Sequence, residues 1–97
     1  MKKIHKNVAA KKDLKAMFKF GFREWGESQA HKYYDELTAA MTHIQNNPSI
    51  GIACDYIKIG YRQHHVNHHV IFYRVSATSI RILRVLREEM NFKLHLQ

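Results

Sequence analysis

At Pro48 the hydrophobic period of this chain changes, and that change constrains the fold more than any single motif. Before it, Ala10, Leu14, Met17, Phe18, Gly21 and Trp25 recur at steps of three and four, the stripe of an amphipathic helix. Asn7 stands where an N-cap belongs, Asp13 lies in or near the first turn as a counter-charge to the helix dipole, and Gly26 supplies the stop. Ala30, Tyr33, Tyr34, Leu37, Ala40, Met41 and Ile44 repeat the spacing until "NNP" at 46–48 ends it. So short a joint predicts antiparallel neighbours, a helical hairpin. Glycine inside a helix costs up to about 1 kcal/mol relative to alanine. Gly21 therefore predicts a close approach of the second helix, and Trp25, Tyr33 and Tyr34 are expected in the core rather than as stacking platforms.

After Pro48 the pattern is that of strands. "YIKIGYRQ" alternates, "HVIFYRV" is dense in β-branched and aromatic residues, and "SIRILRVL" alternates again after the turn signal "SATS". Three antiparallel strands in a meander follow, with an edge strand through Ile4 and Val8 as a fourth. The expected order is β-α-α-β-β-β: one α+β domain over 1–97, its αα-hairpin packed on one face of a small three- to four-stranded antiparallel sheet. Val70, Ile71, Phe72 and Tyr73 are apolar at successive positions, so both faces of the central strand need cover. Two helices cover one face, and only about ten residues follow the last strand. A partner protein is therefore expected on the other.

The net charge of +8 is high for 97 residues and implies an acidic partner. Its placement says more. From Tyr56 to Arg87, a run of 32 residues, there is no Asp or Glu, while Lys58, Arg62, Arg74, Arg81, Arg84 and Arg87 all fall within it. Lys11, Lys12, Lys15 and Lys19 read as a solvated helix face. The single cysteine, Cys54, excludes an internal disulfide framework, fits a reducing compartment and is expected as a small buried thiol. Neither a signal peptide nor an apolar run long enough to span a membrane is visible, so a cytoplasmic bacterial protein is expected.

Four of the eight histidines lie in "RQHHVNHHVIFYR". Adjacent strand residues point to opposite faces, so His64 and His65 cannot share an ion, nor can His68 and His69. A two-residue loop at Val66–Asn67 would set His65 against His68. A longer turn with Asn67 left-handed would set His64 against His68. Either way no more than two imidazoles converge, where zinc needs three or four protein ligands. No metal site is expected, and His69 reads as structural, at the start of the central strand. A histidine beside arginines could still move a proton in RNA cleavage.

The segments "AAKKDL", "WGESQAHKYYDEL", "NNPSIG", "GYRQHHVNHHVIFYRV" and "IRILRVLREEMN", in that order, resemble the ParE toxins of type II toxin–antitoxin modules, members of the RelE/ParE superfamily. The resemblance covers Val8 to Asn91 and agrees with the hairpin-on-sheet fold. It implies a toxin that inhibits DNA gyrase, blocks replication and growth, and serves plasmid or chromosomal stabilisation. It also implies neutralisation by a cognate antitoxin, with operator DNA bound only through that antitoxin. No cofactor, membrane or small-molecule substrate is implied, and no catalytic residue. The target-binding set expected on this basis is Arg62, Arg81, Arg84 and Arg87, with Met90 and Lys93. In a regular strand Arg81 and Arg84 point oppositely, so one of them is expected to pair structurally. The antitoxin is expected on the sheet face near Val70 and Phe72 and on the helix face near Leu14 and Phe18.

RelE-type relatives cleave mRNA on the ribosome without metal. That alternative would use Arg62 and Arg87 on phosphate, with His65 or Tyr73 moving the proton. A third reading is an inactivated toxin that retains only antitoxin binding and repression. Two departures bear on the choice. "HHVNH" stands where RelE-like nucleases keep an arginine before the central strand. In "LREEMN", Arg87 and Asn91 replace the histidine and aspartate common in ParE relatives.

Overall fold

Gly26 is the whole joint between the two long helices. The computed structural model describes residues 2–96, so Met1 and Gln97, the ends of the expected 1–97 domain, lie outside the described residues. Helix α1 runs Val8–Trp25 and α2 runs Glu27–Asn46, with Gly26 at φ +90° donating its N–H to the Phe22 carbonyl. A side chain rarely adopts that φ, so glycine permits the reversal in one residue. At Gly21 the helices do approach. A Cβ built there would lie 3.6 Å from the Ala30 Cβ, ordinary van der Waals contact, so the glycine is not demanded by lack of space.

The sheet is larger than expected. Strands β1 (Lys3–Lys6), β2 (Ile52–Ala53), β3 (Tyr61–Val66), β4 (His69–Val75) and β5 (Ser79–Arg87) are ordered β1-β5-β4-β3-β2. The edge strand expected through Ile4 exists, but it stops before Val8, which begins α1, and it pairs parallel with β5. It is parallel because the helical hairpin and three strands intervene before β5, so no tight turn dictates the direction. A 3-10 turn at Pro48–Ile50 follows α2, and a short helix α3 (Phe92–Leu96) closes the chain.

Two cores sandwich the sheet. On the helix side, Ala10, Leu14, Leu37, Ala40, Met41 and Ile44 meet Ile71, Tyr73, Ile80, Ile82 and Val85. On the other, Val70, Phe72, Leu83 and Leu86 are buried with Cys54, Tyr61 and Leu96, and Phe92 packs edge-on to Phe72 at 4.8 Å. Fully burying one such side chain contributes about 1.5–3 kcal/mol. The partner expected over Val70 and Phe72 is therefore not required. Both residues are 0% exposed, because α3 and the loop from Cys54 to Ile57 supply the cover from within the chain. Five residues of α3 suffice where ten seemed too few, since a short amphipathic turn needs only Phe92 and Leu96 facing inward. Cys54 is a buried thiol, its pKa pushed up by burial.

A bulge in β5 explains how both cores draw on one strand. Phe72 pairs with Arg84 and Tyr73 with Ile82, leaving Leu83 as the extra residue. The insertion switches the alternation, so Ile80 and Ile82 face the helices before it and Val85 after it. Among the described residues no helix is long and apolar enough to cross a membrane.

Candidate interaction surfaces

The bulge also decides where the arginines go. The stretch of β5 beyond Ile82 has no β1 residue beside it, and Asp13, the sixth residue of α1, closes that gap. Its carboxylate accepts the Val85 N–H at 3.0 Å and takes a two-pronged ion pair from Arg84, Nε to Oδ2 at 2.7 Å and Nη2 to Oδ1 at 2.8 Å. Arg84 also donates to the His95 carbonyl at 3.1 Å, which links α1 to α3. The hydrogen bond to Asp13 raises the Arg84 pKa further. The expectation that one of the two β5 arginines pairs structurally is met, and it is Arg84. Asp13 does not serve the helix dipole, since it lies outside the first turn. Asn7 stands at the N-cap position but accepts from Arg81 at 3.0 Å instead of capping.

The other expected target-binding residues are not one patch. Arg62 lies on the helix-facing side of β3, opposite Tyr73; its Nη2 reaches the Ser49 carbonyl at 3.4 Å, and its Nε has no hydrogen-bond partner among the described residues. Arg81 sits on the opposite face, near the β4–β5 turn, directly across from Arg74. Arg87 closes the far end of β5, 3.4 Å from Glu89. Met90 packs half-buried against the second core, and Lys93 is exposed on α3.

Around Arg87 and Met90 the fold makes a groove of about 540 Å3. Its floor is Met17, Tyr33, His69 and Val85, and its rim carries Phe20, Arg23 and Trp25. Trp25 is not core: it is 58% exposed, stacked edge-on against Phe20 at 5.6 Å, and Phe20 is itself 43% exposed. The apolar stripe of α1 continues past the point where anything packs on it, because Phe22 to Gln29 are exposed all round the hairpin's end. Periodicity reveals a face; it cannot reveal where the opposing layer stops.

His69 lies in the groove floor, buried, its Nδ1 hydrogen-bonded to the Tyr33 hydroxyl. Burial lowers the His69 pKa and raises that of Tyr33. The structural role expected for His69 is what its surroundings provide. The hairpin register differs from both expected ones. Asn67 is left-handed at φ +54°, but the loop is Asn67–His68, so His64 faces Ile71 and His65 faces Val70. His68 is exposed beside Glu88 at 3.4 Å. Burial, then His43 and His65, depress the His64 pKa.

The residues of the nuclease alternative are dispersed. Arg62 and Tyr73 face the helices and His65 faces away. Tyr73 is 0% exposed; its hydroxyl donates to the Pro48 carbonyl at 2.7 Å and accepts the Gly51 N–H at 2.9 Å. A Cβ on Gly51 would lie 2.7 Å from the Tyr73 Cε1, so glycine there is what lets the tyrosine seat.

A second groove, of about 720 Å3, runs along the outer side of the hairpin. Leu14, Phe18 and Tyr34 form its floor, with Lys6, Lys11, Lys15 and Lys19 around it and no carboxylate among its lining residues. Phe18 contacts Tyr34 edge-on at 6.0 Å and His31 at 5.0 Å. Three of these lysines belong to the set expected to be solvated, and they frame the helix face expected for the antitoxin.

Residues 5–92 match the family model described as the ParE toxin of the type II toxin–antitoxin system parDE. The chain belongs to the ParE toxin family. It is similar to Toxin ParE1 of Caulobacter vibrioides, 35% identical over 99% of each chain, and to Toxin ParE1 of Mycobacterium tuberculosis, 38% identical over 86% of each. Among solved structures, a chain of the chromosomal ParDE system from P. aeruginosa superposes with a TM-score of 0.80 at 22% identity, covering 92% of this chain and 98% of that one. YafQ from E. coli superposes at 0.63 and 20% identity, covering 91% and 94%. These likenesses bear out the hairpin-on-sheet fold. As a ParE-family member the chain is the toxin of a type II toxin–antitoxin system, with an antitoxin as its partner.

Proposed function

We propose that this toxin arrests growth in the bacterial cytoplasm by binding DNA gyrase, without catalysing a reaction of its own. The observation that carries the reading is the groove around Arg87 and Met90. An exposed Trp25–Phe20 pair beside Arg23 and Arg87 is the side-chain chemistry that dominates protein–protein contacts, where tryptophan and arginine are enriched at the positions of greatest energy. Arg87 and Met90, of the expected target-binding set, lie in it; Arg62 and Arg84 are held by the fold itself. The scatter of Arg62, His65, Tyr73 and Arg87 over both faces supports a binding mode over an acid–base one.

The antitoxin docks, in this account, on the lysine-rimmed groove over Leu14, Phe18 and Tyr34, through an amphipathic segment whose apolar side meets the floor and whose carboxylates meet the lysines. The two grooves make separable demands. Immobilised toxin should retain purified gyrase, and Trp25→Ala with Arg87→Ala should weaken that retention at least tenfold while antitoxin binding persists. Undiminished gyrase retention by the folded double variant would exclude this surface.

A further inference from the structure

The face of the sheet turned away from the helices is covered over only half its length. Towards α3 it is sealed by Leu96, Phe92 and the loop at Ile57. Towards the β4–β5 turn it is bare, and the register places one row of residues across three strands there: His5 on β1, Arg81 on β5 and Arg74 on β4, with Lys3 and Ser79 in the next row. His5, Arg74, Arg81 and Lys3 are exposed, whereas their neighbours Ile4, Ile80, Ile82 and Tyr73 point into the helical core.

Arg74 and Arg81 are direct cross-strand partners of like charge. Such a pair is destabilising in a free sheet, because side chains directly opposite lie about 5 Å apart. One prong of Arg81 donates to the neutral Asn7 Oδ1 at 3.0 Å, but no carboxylate relieves the pair: among the described residues the ion pairs of arginine are those of Arg84 and Arg87 alone. In the turn beside the pair the Ser76 and Ser79 hydroxyls bond each other at 3.0 Å and Thr78 is exposed, while Lys2 binds the Ser76 and Ala77 carbonyls, which brings a further cation to the same end. Arginine, lysine and hydroxyl donors, in rows whose own positions on β1, β5 and β4 carry no apolar side chain, are the groups that hold phosphate oxygens. Stable protein contacts, by contrast, need a buried aromatic or aliphatic centre. The row spans two strand spacings, about 10 Å, a width suited to several charges of a duplex that carries one per about 1.7 Å of axis.

We propose that this Arg74–Arg81 face binds the phosphate backbone of duplex DNA directly, independently of sequence and of any antitoxin. Arg74 was not among the residues expected to bind the target. The inference goes beyond the gyrase reading, because it concerns a different face and its test contains no gyrase.

The test titrates a fluorescent duplex of arbitrary sequence with the full-length toxin over a range of salt concentrations, reading anisotropy. Binding should be insensitive to sequence, and log K should fall linearly with log [salt], losing about 0.9 in slope for each phosphate engaged. Arg74→Gln with Arg81→Gln should lower that slope by about 2 and weaken binding at least tenfold at 50 mM salt. Lys12→Gln with Lys32→Gln, which removes the same charge from exposed positions of the helical layer on the other side of the sheet, should change it less than threefold. Thermal melting of both variants reports folding, and Arg74→Lys with Arg81→Lys, which keeps the charge, should retain most of the binding. Equal losses in the two glutamine variants would overturn the proposal, as would no loss in the first. So would equally tight binding of poly-glutamate by the wild type, which would make the face a dock for acidic protein.

Discussion

Arg84 and Asp13, 71 positions apart, hold each other through two hydrogen bonds while the same carboxylate closes the open edge of β5. Neither residue is free to meet a target, and removing either leaves polar groups of the other without partners. Asp13→Ala should therefore cost about 2–3 kcal/mol, since it orphans both the guanidinium and the Val85 N–H. The side chains are 22% and 14% exposed, which keeps the figure below that of a fully buried pair. The check is the urea midpoint at unchanged slope; a loss under 0.5 kcal/mol would show the pair to be ornamental.

Gly21→Ala should stabilise the fold by about 0.5–1 kcal/mol. The site is helical, its φ is negative, and the added methyl meets Ala30 and Trp25 at 3.6 Å, ordinary contact. A lower melting temperature would mean that the helices are closer than these distances allow.

The helical hairpin was legible because two amphipathic stripes and a glycine stop say the same thing locally. The meander was legible from "SATS" and the dense strand. The same turn signal could have revealed the Arg74–Arg81 pair, since the two positions stand at equal distance from its centre. The β5 bulge was not legible, because alternation in "SIRILRVLR" reads the same until Leu83 is known to have no partner. Nor was the cover over Val70 and Phe72, which depends on where α3 folds back rather than on any pattern within α3. The expectation that Trp25 is core failed because a stripe continues past the end of its opposing layer.

His69 should make stability fall in mild acid. Burial lowers its folded pKa below the ordinary value near 6.5, so as pH drops the unfolded chain binds a proton there before the folded one does. The stabilisation is complete above that ordinary value and is lost as pH falls from it towards the folded pKa. Arg87 and His68 oppose the charging of the ring, while Glu89 and Asp13 favour it, and the Tyr33 hydroxyl is bonded to its Nδ1. His64, depressed by burial in the same direction, contributes alike. Comparing unfolding at pH 7.5 and 5.5, His69→Gln should be less stable than wild type at both values but should lose less between them. Parallel losses in the two proteins would assign the pH dependence elsewhere.

Charge reversal on the hairpin groove should separate toxicity from neutralisation. Lys11→Glu with Lys15→Glu alters only the rim, so the toxin should still arrest growth while its affinity for antitoxin falls at least tenfold, about 1.4 kcal/mol. Growth rescued by antitoxin as fully as in the wild type would place the antitoxin on another face.

Gyrase as the target and binding as the action make one joint prediction. The direct measurement adds purified toxin to two reactions in parallel, plasmid supercoiling by gyrase with ATP and translation of a reporter mRNA in extract, with Tyr73→Phe and His65→Ala as companions. Supercoiling should stop or the plasmid be linearised, the message should stay intact, and neither substitution should alter the outcome in folded protein. Normal supercoiling with a cleaved message would contradict it.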